Sequence, residues 1–255
     1  MSDASAGELN DIDHVIARLD EIVDWAIREP NRIGYFAAMY RKVTVAVRDA
    51  IVAGEFDDGP RMARFDRIFA ERFIDAFDTW RAGRQPTESW AVAFDSVERR
   101  RLLIVQHLLL GMNAHINLDL GIAAANVAPG DQITSLQGDF DRINSVLAGL
   151  VDGFEADVGA LSPWIGWLDR IGGRAEEHVV RFSIDVARDE AWRFAGELAP
   201  LAPIDQAKAI ARVDRTTAHL GRVIRRPGLF LPLGLLLIRS RESNDIAEVI
   251  NHLRN

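Results

Sequence analysis

The sequence predicts an all-α fold: a single-domain, multi-helix bundle over residues 1–255, built around one buried central helix at about residues 101–126. Two observations predict it. Apolar residues recur at three- and four-residue intervals almost throughout, and no run alternates apolar with polar residues as a strand would. The segment VQHLLLGMNAHINLDLGIAAA is apolar nearly all round, and such a helix in a globular protein is covered on most sides.

The first helix, about Leu9 to Ile27, lines up Ile12, Val15, Leu19, Ile22 and Ala26, and Pro30 ends it. His14 falls off that face and reads as solvated. The second, about Gly34 to Ala53, buries Phe36, Met39, Tyr40, Val43, Val47, Ala50 and Ile51, so the Tyr40 hydroxyl needs a partner. GEFDDGP is a turn. The third helix, about Pro60 to Trp80, carries Met62, Phe65, Phe69, Phe73 and Trp80 inward. Glu71 and Asp75 have the spacing of metal ligands, but they share the solvent side, where Arg67 can pair with Glu71.

After the linker RAGRQPTE comes a helical stretch from about Ser89 to Ala125, with a break expected near Arg99, Arg100 and Arg101. APGD is a loop. The next helix, about Gln132 to Val158, turns Ile133, Leu136, Phe140, Leu147, Val151 and Phe154 inward with Asn144 on the same face. SPWIGWLDRIGGR reads as a short helix and a glycine break. Helices are expected near 175–198, near 203–224 behind Pro203, and from about Asp245 to Leu253, with His178 and His219 off the apolar faces. No interdomain linker or internal repeat interrupts this order.

Composition narrows the function. A net charge of -8 and a pI near 5.3 argue against a nucleic-acid partner, which draws on concentrated Lys and Arg, and no basic stripe in the sequence compensates. The absence of cysteine removes disulfides, Cys-ligated metals and thiol chemistry, and fits a reducing cytoplasm, the expected location. The acidic, polar start MSDASAGELNDIDHV is unlike a signal peptide. The apolar run Pro227 to Ile238 is too short for a spanning helix of roughly 20 residues, so no transmembrane segment is expected there. Leu229 to Ile238 could instead dock on a partner or a second copy of the chain.

The polar residues of the central helix hold the functional interest. At 3.6 residues per turn, His107, His115 and Asp119 share one drifting row, while Gln106, Asn113 and Asn117 make another. Burying such groups unpaired costs on the order of 1 to 3 kcal/mol each, so each needs a partner. His115 and Asp119 lie about 6 Å apart along the axis, which suits two ligands of one divalent metal ion, or a carboxylate orienting an imidazole. His107 lies about 12 Å from His115 and would serve a second site or a hydrogen bond. Tyr40 and Asn144 are the candidate partners from other helices.

Known metal architectures fit poorly. A ferritin-like bundle needs Glu-x-x-His on two helices, which is absent. AHINLDL resembles a fragment of the zinc-dependent phospholipase C pattern, but the following Pro-x-His is missing and the histidines are too few for three zincs. Nucleophile-elbow, phosphate-loop and His-Glu-x-x-His motifs are also absent.

Four segments together, RIGYFAAMYRKVTVAV, RMARFDRIFAERFIDAFDTW, SWAVAFDS and QHLLLGMNAHINLDLGIAAA, resemble a bacterial family known as domain of unknown function 5995. The resemblance spans most of the chain and implies an all-helical fold, without a reaction, substrate or cofactor. Two readings stay open. In one, His115 and Asp119 bind a metal, or with His107, Asn113, Asn117, Tyr40 and Asn144 a small polar ligand, and metal-assisted hydrolysis is the reaction class. In the other the chain is a non-catalytic scaffold or interaction module, and these residues form a structural network.

Overall fold

The computed structural model describes residues 3–161, 184–226, 239–240 and 242–255. The chain forms α1 (Asp3–Arg28), α2 (Ile33–Ala53), α3 (Gly59–Arg81), α4 (Glu88–Phe94) and α5 (Ile104–Ala114). A π-helical turn (His115–Asp119) joins α5 to α6 (Leu120–Val127); a 3-10 turn (Gly130–Gln132) leads into α7 (Ile133–Leu161). Then come α8 (Ile184–Leu198), α9 (Pro203–Arg225) and α10 (Ile246–Arg254). No strand occurs among the described residues, and the fold is all-α. The sequence segments SPWIGWLDRIGGR, His178 and Leu229 to Ile238 lie outside the described residues, as do the side chains of Val151 and Phe154.

Local chemistry sets the helix ends. Gly54 closes α2 with φ 76, a conformation that suits glycine because it lacks Cβ. Asp58 caps α3 by accepting from the Arg61 N–H at 3.0 Å, with Pro60 in the first turn. The expected break near the arginines is a turn over residues 95–103, so the central helix starts at Ile104, later than its apolar pattern suggests.

Three helix starts are capped from far away in sequence, which local patterning could not reveal. Asp214 on α9 accepts from the N–H groups of Glu88 (2.7 Å) and Ser89 (2.9 Å) and so docks α4 onto α9. Glu242 accepts from the Ile104 N–H at 3.1 Å. Asp139 on α7 accepts from the N–H groups of Asp57 (2.8 Å) and Asp58 (3.0 Å). Burial alone would raise the Asp139 pKa, but these two N–H groups with Arg61 and Arg142 outweigh it and hold the carboxyl below its ordinary value. A depressed carboxylate stabilises the fold above its unfolded pKa, and that contribution fades as pH falls through the folded one.

The core has two halves, both threaded by the central helix. Around α5 lie Phe36, Tyr40, Phe73, Phe77, Trp90 and Phe94 with Leu108 and Leu110. Around α6 lie Phe65, Leu118, Ile122, Leu136, Phe140 and Phe194. Burying each of these large side chains contributes about 1.5 to 3 kcal/mol. Two glycines let neighbours approach the central helix: a Cβ on Gly111 would sit 2.5 Å from the Phe36 ring, and one on Gly121 2.8 Å from the Ala191 carbonyl of α8. Ile104–Val127 is long and apolar enough to cross a bilayer, but most of it is buried by the surrounding helices, the position of a core helix.

Candidate functional site

The π-turn lies where the two halves of the core meet, and it contains His115 and Asp119. A π-turn holds an extra residue relative to α-helix, so it rotates the residues that follow it, those of α6, about the axis relative to α5. Asp119 is 0% exposed, and its carboxylate takes three donors. Trp90 Nε1 of α4 donates at 2.8 Å and Arg72 Nε of α3 at 3.1 Å. His115 Nδ1 lies 3.2 Å from the same oxygen that Trp90 uses. Because a carboxylate oxygen only accepts, Nδ1 carries the imidazole proton and Nε2 keeps the lone pair.

His115 is 2% exposed and packed in aromatic rings. Phe69 stacks on it with centroids 3.7 Å apart, Tyr40 meets it edge-on at 4.4 Å, and Phe36, Trp90 and Phe73 stand at 5.7, 6.0 and 6.4 Å. Burial lowers its pKa, against the hydrogen bond and charge of Asp119, and Arg72 adds to the lowering. The ring is therefore neutral. Arg72, 31% exposed at its side chain, is the counter-charge to Asp119 and reaches solvent.

Three polar atoms here have no hydrogen-bond partner: His115 Nε2, Tyr40 Oη and Asp66 Oδ2. Thr44 stands beside the Tyr40 hydroxyl, but its own proton goes to the Tyr40 carbonyl at 3.1 Å. Burial, with the charges of Asp66 and Asp119, pushes the Tyr40 pKa well above its ordinary value. Burial alone raises Asp66 to about 7, with no cation opposing it.

The other expected residues divide into separate places. Asn113 donates to the Thr217 carbonyl of α9 at 2.9 Å and accepts from Asn117 at 3.0 Å. Gln106 donates to the Ile224 carbonyl at 2.8 Å and accepts from the Leu103 N–H. His107 is buried beside Tyr35, with ring centroids 6.0 Å apart. Burial and the charges of Arg32 and Arg239 lower its pKa to about 3, against a hydrogen bond from its ring to the Arg99 main chain. Asn144 was expected inside with the central helix; it is exposed and accepts from Arg188 Nε of α8. The reason is that Arg188 itself covers Phe140, its guanidinium 4.5 Å from the ring, and takes Asn144 at the edge of that contact.

Sequence reading missed Arg72, Trp90 and Asp66. Asp66 carried a signal, since it shares a helical row with Met62, Ala70 and Phe73, all buried. Among the described residues no three His, Asp or Glu side chains gather as a metal-binding group.

Neither a comparison with curated proteins nor one with solved structures returned a match. Residues 12–227 match a family of unknown function, DUF5995. That span takes in α2 to α6, the π-turn and every side chain bonded to Asp119, and the chain belongs to this family.

Proposed function

We propose that this protein is an intracellular, non-catalytic helical scaffold whose central helix is pinned in place by its own polar side chains. The observation supporting this reading is where those side chains go. Asp119 binds donors on α3 and α4, while Asn113 and Gln106 reach carbonyls on α9, so three surrounding helices are fixed in register to one axis. Each bond satisfies a group whose burial would otherwise cost about 1 to 3 kcal/mol. The near-complete burial of His115 and Asp119 suits a structural role better than exchange with a substrate.

A second reading is favoured by a specific observation, the unpartnered His115 Nε2, Tyr40 Oη and Asp66 Oδ2 beside a π-turn, a feature often found at functional sites. In it a small polar ligand or divalent ion sits on the free edge of His115, Asp119 orients the imidazole, and a bound ion activates water for hydrolysis.

Elemental analysis of the purified, untagged protein separates the two, with wild type and His115→Ala compared before and after exposure to zinc, manganese or iron. The scaffold reading expects no near-stoichiometric metal in either protein and a less stable variant. Near-stoichiometric metal in the wild type that disappears in His115→Ala overturns it.

A further inference from the structure

A cavity opens between α1 and α3, on residues that the His115–Asp119 network does not use. Arg18, Glu21, Ile22 and Trp25 recur at three- and four-residue intervals and so share one face of α1; Phe77, Asp78 and Arg81 do the same on α3. Trp25 meets Phe77 edge-on with ring centroids 5.2 Å apart, which fixes the two faces against each other. The space between them is about 370 Å³, within the range of small-molecule sites. Ile22, Trp25 and Phe77 give its apolar wall, and the two arginines and two acids give its charged one.

The two arginines differ. Arg18 bridges the acids, donating from Nη1 to Glu21 Oε2 at 2.7 Å and from Nη2 to Asp78 Oδ1 at 2.6 Å. It takes one oxygen of each carboxylate and leaves Glu21 Oε1 and Asp78 Oδ2 for a further donor. Among the described residues Arg81 meets no acid; its guanidinium lies 4.3 Å from the Trp25 ring centroid and 5.9 Å from that of Phe77. Stacking on the rings holds the planar fork while leaving its N–H groups free, an arrangement that binds a carboxylate through two parallel bonds. Trp25 Nε1, in the same wall, also lacks an acceptor.

Two cations and two carboxylates cancel across the cavity, so a ligand of one sign leaves it charged and a ligand carrying one charge of each sign does not. A doubly charged phosphate would stand beside both acids. We propose that the cavity binds a free α-amino acid as its zwitterion, the carboxylate on the Arg81 fork, the ammonium on Glu21 and Asp78, and an apolar side chain against Ile22, Trp25 and Phe77. Asp78 and Arg81 are one helical turn apart, with about 5 to 6 Å between their Cβ atoms, which suits two charges that share one carbon.

The indole N–H signals of the full-length, nitrogen-15-labelled protein test this by NMR. Its six tryptophans give six such signals, and Trp25→Phe identifies the one at the cavity. L-Phenylalanine is the probe, beside N-acetyl-L-phenylalanine, which lacks the ammonium, L-phenylalanine amide, which lacks the carboxylate, and phenylphosphonate, a dianion. L-Phenylalanine is expected to shift the Trp25 signal saturably, and each of the other three to bind about tenfold more weakly, the loss of one charge-assisted contact. Arg81→Gln should weaken L-phenylalanine about tenfold and leave the amide nearly unaffected. Glu21→Gln, at an exposed side chain, should weaken L-phenylalanine about two- to fivefold, leave the N-acetyl compound nearly unaffected, and serve if Arg81→Gln fails to fold by circular dichroism. No saturable shift of the Trp25 signal up to the solubility of L-phenylalanine, an analogue or phenylphosphonate that binds as tightly, or folded variants that bind like wild type overturns the proposal.

Discussion

Asp119→Ala is expected to destabilise the fold by about 3 to 5 kcal/mol, the range for removing one partner of a buried charged network. The loss exceeds that of one hydrogen bond because three donors lose their acceptor together. Trp90 Nε1 and His115 Nδ1 are then buried and unpaired, and Arg72, partly exposed, loses its buried counter-charge. For a chain of this size the thermal midpoint should fall by roughly 10 °C, read by differential scanning calorimetry. A variant that melts within a degree or two of the wild type would contradict the structural role given to this carboxylate.

Asp66 should behave in the opposite sense. Its pKa is raised to about 7 because burial disfavours the charged form and no cation compensates. The folded state therefore holds a proton that the unfolded chain releases near pH 4, and stability falls as pH rises from about 4 to about 7. Asp66→Asn keeps the shape and removes the ionisation. The variant should gain about 2 to 4 kcal/mol over wild type at pH 8, with little difference near pH 4. Urea titrations of both proteins across that range check it, and a gain independent of pH would show that desolvation of the carboxylate is not the cause. His107 and His115 act in the other direction, since rings held neutral lose stability below about pH 6.5, but they do so equally in both proteins.

The two aspartates show what the sequence can convey. The His115–Asp119 contact was legible because residues four apart on a helix face each other, and the helices were legible because periodicity is local. The register of the π-turn was not, because residue type alone does not mark where a helix takes in an extra residue. Nor were Arg72 and Trp90, whose bonds to Asp119 cross 47 and 29 residues of chain. Asp66 sat in a legible apolar row, yet periodicity does not say that its carboxyl finds no cation. Asn144 was misplaced because helix periodicity assigned it the Phe140 face, whereas a long arginine from α8 covers that face and leaves the amide outside.

The most direct test of the pinned central helix is a double-mutant cycle in urea between Trp90→Phe, which removes the indole donor while keeping an aromatic ring, and Asp119→Ala. The account predicts non-additive losses, with a coupling of about 1 to 3 kcal/mol, because one hydrogen bond is counted in both single variants. Additive losses to within about 0.5 kcal/mol would mean that the indole and the carboxylate act independently, and would contradict it.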